Sequence, residues 1–298
     1  MRILLTFIAL VCSALCLQAT IKVVTFHPIL TDIAQQIGNE HISITSLLKP
    51  GADPHQYRPT PSDLKSLSTA NLVLLMGKGL EHSTELIKTN TPPQAVILEV
   101  GRNVPSIELT ETKNIFYCCP KHSLGAIDPH WWHSIKRVQT ATRIIHKALS
   151  NLIPEQENNL KVNANTYHKK LDNLYRWARK EIARIPRSHR KLATAHAAFG
   201  YFCSEFRFKA IPVQGLNKEQ NATPGYLKEV IETIKKQKVP AVFPEHNANP
   251  KILKSILNET NITLGKPLLA SGPLPESPRY EDMVRHNINN IVEALATK

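Results

Sequence analysis

From Pro154 to Pro186 the chain reads PEQENNLKVNANTYHKKLDNLYRWARKEIARIP. Apolar residues recur at Leu160, Ala164, Tyr167, Leu171, Leu174, Ala178, Ile182 and Ile185, in steps of three and four throughout. That spacing marks one face of an α-helix. Pro186 closes the pattern, because proline removes a backbone donor and clashes with the preceding turn. Some 30 residues at ~1.5 Å each make a rod of ~45 Å, long enough to span a molecule of two lobes.

On the N-terminal side, strands and helices alternate. Ile21-Lys22-Val23-Val24-Thr25 is a β-branched run and predicts a strand. His27 to Ile37 has helical spacing and stops at Gly38. Ile42–Leu48, Asn71–Met76 and Ala95–Val100 read as further strands, and Pro61-Ser62-Asp63 opens a helix. Another helix runs from about Ser134 to Leu149. Beyond the rod, Lys191–Ala195 and Val239–Phe243 read as strands. Ala197–Phe206, Tyr226–Gln237, Asn249–Leu257 and Tyr280–Ala296 read as helices. Alternation of this kind predicts an α/β fold with two lobes, each a mostly parallel sheet flanked by helices, joined by one long helix. The expected division is 1–19 as a signal peptide, 20–152 as the N-terminal lobe, 153–186 as the linking helix and 187–298 as the C-terminal lobe. A length of 298 residues, 42% of them hydrophobic, supports two packed cores rather than one. The cleft between two such lobes is the usual place for a ligand.

The net charge of +13 raises the question of an anionic partner. The basic residues are spread along the chain and no nucleic-acid motif accompanies them, so no nucleic-acid partner is expected. Their strongest concentration, Arg176 to Lys191, reads as a solvated or membrane-facing surface. At the N-terminus, Arg2 precedes an uncharged apolar stretch from Ile3 to Leu17, and Ala19 offers a small residue for cleavage. This is an export signal, too short to span a membrane as a helix, and predicts a periplasmic protein starting near Thr20. A lipid-anchored form through Cys16 or Cys12 is the alternative; the residues before them, Leu15 and Val11, are large for that processing. Cleavage would leave Cys118, Cys119 and Cys203. An odd count leaves at least one thiol unpaired. Cys203, within Phe202-Cys203-Ser204, reads as a small buried residue. The vicinal pair is open between metal binding and a disulfide.

Two tripeptides repeat, Asp53-Pro54-His55 and Asp128-Pro129-His130. Proline restricts the loop beside each histidine. The aspartate is placed to accept the ring N–H that a metal-binding imidazole leaves over. His196 follows the first strand of the second lobe, where the carboxyl ends of strands line the crevice of an α/β sheet. Any one of 13 histidines alone is weak evidence, since most histidines are surface or hydrogen-bonded core residues.

The chain resembles the cluster A-I solute-binding proteins of ABC transporters, the zinc and manganese binders. The resemblance runs from Ile21 to the C-terminus. It is carried by Lys49-Pro50-Gly51-Ala52-Asp53-Pro54-His55-Gln56-Tyr57, Pro61-Ser62-Asp63-Leu64, Ala70-Asn71-Leu72-Val73 and Gly77-Lys78-Gly79-Leu80-Glu81. Asp128-Pro129-His130-Trp131-Trp132, His196-Ala197-Ala198-Phe199-Gly200-Tyr201-Phe202 and Phe243-Pro244-Glu245 continue it. The resemblance implies metal ligands at His55, His130 and His196, with a fourth acidic ligand near the C-terminus. There this chain departs: Ser271 or Gly272 occupies the place of the expected aspartate. Glu245, at a strand end, is the preferred substitute; Glu276 reads as an exposed loop carboxylate, and water is the remaining option. A second departure is Tyr117-Cys118-Cys119-Pro120-Lys121-His122 where zinc-binding members often carry a histidine-rich loop. Its thiols and imidazole have the softness for an auxiliary site; the competing reading is a short loop that merely contains cysteines.

Imidazole donors suit zinc better than manganese, which prefers oxygen. Manganese binders of the family tend to have a carboxylate where His196 stands, so the expected cargo is Zn2+, with Mn2+ or Fe2+ as alternatives. The implied partners are an ABC permease and its ATPase; this chain has no phosphate-binding loop of its own. Membrane association then runs through the permease, and the chain is expected to be a monomer. A zinc hydrolase is a competing class with the same parts, but no H-E-x-x-H helix is present. A surface adhesin with structural metal is a third.

Overall fold

The computed structural model describes residues 20–107, 127–213, 224–246 and 251–296. The signal segment and the Cys118, Cys119 and His122 loop lie outside the described residues. The first lobe is built from β1 (Ile21–Thr25), α1 (Pro28–Gly38), β2 (Ile42–Ser46), α2 (Pro61–Leu67), β3 (Leu72–Leu75), α3 (Thr84–Thr89) and β4 (Val96–Glu99). Its four strands form a parallel sheet in the order β2-β1-β3-β4. Then come α4 (Ile135–Leu152) and α5 (Glu157–Ala183). The second lobe contains β5 (Lys191–Thr194), α6 (Gly200–Phe206), β6 (Lys209–Pro212), α7 (Pro224–Gln237), β7 (Ala241–Phe243), α8 (Lys251–Thr260) and β8 (Thr263–Leu264). Its sheet repeats the arrangement as β6-β5-β7-β8, again parallel. In both sheets the order reverses beside the first strand, which opens a crevice at the carboxyl ends of β1 and β3 and of β5 and β7.

The predicted rod is α5, 27 residues long and preceded by one tight turn at Pro154–Gln156. The whole predicted ladder from Leu160 to Ile185 is buried. It packs against α1, α4 and the last helix, α9 (Tyr280–Leu295). Truncating a fully buried rung such as Leu171 or Leu174 to alanine should cost about 2–5 kcal/mol. One apolar core runs through the first sheet, α4, α5, α6 and α9 and so joins the lobes. A smaller one, including Ala193, Val230, Ile234, Val242 and Ile256, lies beneath α7 and α8.

Helix ends tie the lobes together. Ser134 caps α4, accepting from the Arg137 N–H at 3.3 Å. Glu205 of α6 reaches across to accept from the backbone N–H of Ile135 at 3.1 Å and Lys136 at 3.3 Å. A carboxylate at a helix N-terminus is favoured by the orphan donors and the helix dipole. At the start of α9, Tyr280 donates its N–H to Asp32 of α1 at 2.9 Å and its hydroxyl to the Trp132 carbonyl at 2.9 Å.

Three elements were not in the sequence reading: α3, β6 and β8. The strand β8 is two exposed residues, and β6 is an edge strand exposed at Lys209 and Ala210. Neither carries an alternating pattern. The predicted helix from Ala197 begins only at Gly200, because the preceding residues form the turn that carries His196, closed by Ala198 N–H to the His196 carbonyl at 2.9 Å. Gly200 is required where the turn meets the other lobe: a Cβ there would stand 2.5 Å from Asp128 Oδ2. Cys203 is buried with a free thiol, as its apolar neighbours suggested.

Candidate metal centre

His55 rides on the loop between β2 and α2. Gly51 turns that loop with a φ of +80°, which a residue with a Cβ adopts only under strain. The Gly51 N–H donates to the Pro273 carbonyl at 2.9 Å, tying the loop to the second lobe's last long connection. Asp53 Oδ1 accepts the His55 N–H at 3.0 Å, an Asx turn. Tyr57 ends the loop by donating to Asp63 at 2.9 Å and meeting Phe26 edge-on at 5.3 Å. Asp63 in turn completes the capping box of α2 with Thr60.

His130 stands just before α4 and is only 1% exposed. Asp128 Oδ1 accepts both its backbone N–H and its ring Nδ1–H, each at 2.8 Å. Tyr201 of α6 holds the Asp128 carbonyl at 2.9 Å. Burial pushes the Asp128 carboxyl up to about 7, opposed by the His130 N–H and by the charges of His196 and Lys78.

His196 follows β5 and is 1% exposed. Glu245, just beyond β7, accepts its backbone N–H at 2.8 Å and its ring Nδ1 at 2.5 Å, both on Oε1. The pairing of β5 with β7 puts these two strand ends side by side.

The three imidazoles converge. Their ring centroids lie 5.2, 5.3 and 6.1 Å apart, and one ligand atom from each falls within 4.8 Å of the others. Nε2 of His55 and Nε2 of His130 are 3.1 Å apart. Two nitrogens bound at ~2.0–2.1 Å to one tetrahedral zinc stand ~3.3 Å apart, so this spacing fits a shared ion. With Nδ1 of His130 and His196 donating to carboxylates, their Nε2 lone pairs are left for a metal. The proton between the two Nε2 atoms then belongs to His55, so for its Nε2 to bind a cation the ring must carry its proton on Nδ1 instead.

Glu245, the sequence's preferred fourth ligand, is not among the three converging ligand atoms; its Oε1 lies behind His196. Glu276 is exposed. Around Ser271 the backbone is pinned by rings. Trp132 Nε1 and His133 Nε2 donate to the Ala270 carbonyl at 3.1 and 2.9 Å, and His27 Nε2 donates to the Ser271 carbonyl at 2.9 Å. The Nδ1 of His27 caps α1 by accepting from Ile29 at 3.2 Å, which fixes its neutral tautomer. Burial drives His27 down to about 4 and His133 down to about 3. Sequence reasoning missed both: a histidine before a helix proline and one after two tryptophans carry no ligand signal, and their role needs the second lobe in place.

Two α/β lobes with a cluster of histidines between them define a metal-binding protein of the two-lobed kind. The chain matches the family model described as zinc-uptake complex component A, periplasmic, over residues 23–294. It is 32% identical over 274 residues to the manganese-binding lipoprotein MntA of Bacillus subtilis, covering 89% of this chain and 87% of that one. Its fold is similar to the periplasmic zinc-binding protein TroA from Treponema pallidum, with a TM-score of 0.81 at 25% identity over 93% of this chain and 100% of the other. It is equally similar to a manganese-bound periplasmic metal-binding protein from Candidatus Liberibacter asiaticus, with a TM-score of 0.81 at 25% identity over 92% and 99% of the two chains. The chain therefore belongs to the zinc-uptake component A family, the metal-binding solute-binding components of ABC transporters. Such a component binds cargo and is not an enzyme, which removes the hydrolase reading. The family acts together with a permease and an ATPase.

Proposed function

We propose that the chain captures one divalent transition-metal ion through Nε2 of His130, Nε2 of His196 and a ring nitrogen of His55, and hands it to its permease. The observation that carries this reading is the convergence of three imidazoles from three separate loops within 4.8 Å. Asp128 and Glu245 act as positioning residues, each holding one histidine by ring and backbone. Glu245 is thus reassigned from ligand to support, and a solvent molecule takes the fourth position.

Zinc is the proposed cargo, because three neutral nitrogen donors without a hard oxygen suit it better than manganese. Manganese is the competing reading, favoured by what MntA is named for binding. Titrating metal-stripped protein with zinc and manganese tests both. Zinc binding at one ion per chain, displacing manganese, is expected. Manganese retained against equimolar zinc would overturn the choice of metal, and no binding of either would overturn the site.

We also propose export to the periplasm as a monomer, with cleavage near Ala19. No helix among the described residues is long and apolar enough to cross a membrane. Mass spectrometry of the mature N-terminus decides between the soluble form and a lipid on Cys16 or Cys12, and light scattering decides the oligomeric state.

A further inference from the structure

The basic concentration from Arg176 to Lys191 has no part in the metal centre. Part of it walls a cleft of about 430 Å³ where the start of α4, the C-terminal half of α5 and the end of α6 meet. Four cations line this cleft, Lys136, Arg179, Arg190 and Arg207, around the ring of Tyr175. Lys136 Nζ stands 4.9 Å and Arg179 Cζ 6.0 Å from the centre of that ring, which stacks on Phe206 at 6.0 Å. The guanidinium of Arg190 is fixed, its Nε and Nη2 donating to the carbonyls of Ile185 and Ile182, each at 3.2 Å. Arg207 ends α6 in the left-handed conformation, with a φ of 59°. The acid that lines the cleft, Glu205, is committed to the α4 N-terminus through Ser134, Ile135 and Lys136. Among the described residues none of the four cations takes part in an ion pair.

Four cations facing one carboxylate repel each other, and a multivalent anion between them relieves that repulsion. Guanidinium forks match phosphate oxygens two at a time, and an aromatic floor gives the body of a phosphate ester an apolar surface. We propose that this cleft binds a phosphate group, carried on a lipid headgroup or free in solution. The walls come from α4, α5 and α6, so an occupant would bridge α4 to α6 away from the histidines.

The full-length mature protein, loaded with zinc, is titrated with inorganic phosphate at low salt by calorimetry. It is separately sedimented with phosphatidylglycerol and phosphatidylcholine vesicles. The variant is Arg179→Gln with Arg207→Gln, both exposed and apart from the metal centre; if the pair fails to fold, Arg207→Gln alone is used. One saturable phosphate site, weakened at least ~10-fold in the variant and by added salt, is the expected result. Vesicle binding that favours phosphatidylglycerol and falls with the same variant assigns a lipid headgroup; phosphate binding with no variant-sensitive vesicle binding assigns a free phosphate. Absence of both, or binding that the variant leaves unchanged while its zinc titration stays normal, overturns the proposal.

Discussion

The tripeptide Asp-Pro-His occurs twice in this chain, and the two copies come to different ends. At residues 128–130 the aspartate is fully buried and one oxygen takes both the backbone N–H and the ring of His130. At residues 53–55 the aspartate is partly exposed and its oxygen takes the backbone N–H of His55. The local turn is common to both, because an Asx turn needs only the short side chain and its own backbone. The difference comes from what surrounds the turn: Tyr201 and Gly200 of the second lobe close over Asp128. His196 obtains the same two-point hold without the tripeptide, from Glu245 on the neighbouring strand end. A sequence motif thus places a histidine, and the packing around it decides how deeply its aspartate is buried.

The largest effects should come from the rings themselves. His130→Ala and His55→Ala should each weaken zinc binding by more than the ~10–100-fold that a supporting group is worth, with the fold intact by circular dichroism. Wild-type affinity in His55→Ala would break the comparison, since the more exposed tripeptide would then lie outside the site. Next come the supports: Asp128→Asn and Glu245→Gln should each lose ~10–100-fold in a zinc titration. If Glu245 only positions His196, its variant keeps the same zinc coordination number in an absorption spectrum. A lost oxygen would make it a ligand after all. Asp53→Asn should cost less zinc affinity than Asp128→Asn, because asparagine forms the same turn and Asp53 is the more exposed of the two carboxylates; a loss equal to that of Asp128→Asn would erase the proposed difference between the copies.

The smallest effect concerns His27, which links the start of α1 to the Ser271 carbonyl. Its folded pKa of about 4 lies below the ordinary 6.5. Between those values the unfolded chain binds a proton that the native state refuses, so this residue's contribution to stability falls as pH falls. Asp128 and Glu81, both pushed up to about 7 by burial, act with the opposite sign, so the wild-type curve alone is not diagnostic. The difference is: from pH 6 to 4.5, His27→Gln should gain on the wild type by at most ~1.4 kcal/mol per pH unit. Parallel unfolding curves across that range would show that His27 is not held neutral.

Much of this was legible before the fold. The α5 ladder was, because a period near 3.6 over many rungs has no competing reading. So was the lobe-forming alternation; the three histidines, singled out through a resemblance to a family, are the ones that the structure brings within 4.8 Å of one another. What escaped were features made by tertiary contact. Short edge strands such as β8 lack a pattern of their own, and Thr263 and Leu264 are both exposed. The sequence favours Glu245 as the fourth ligand because a strand end is better fixed than a proline-flanked loop; that its Oε1 meets Nδ1 of His196 follows only from the β5–β7 pairing. The pinning of Ala270 and Ser271 by Trp132, His133 and His27 joins residues more than 130 positions apart, beyond the reach of any local signal.

The central claim is that three imidazoles hold the cargo. X-ray absorption at the zinc edge of the loaded protein reads the donor set directly. Three histidine nitrogens at ~2.0–2.1 Å with one light oxygen scatterer is the predicted spectrum. Sulfur at ~2.3 Å would contradict it, placing the metal instead on the cysteines at 118 and 119.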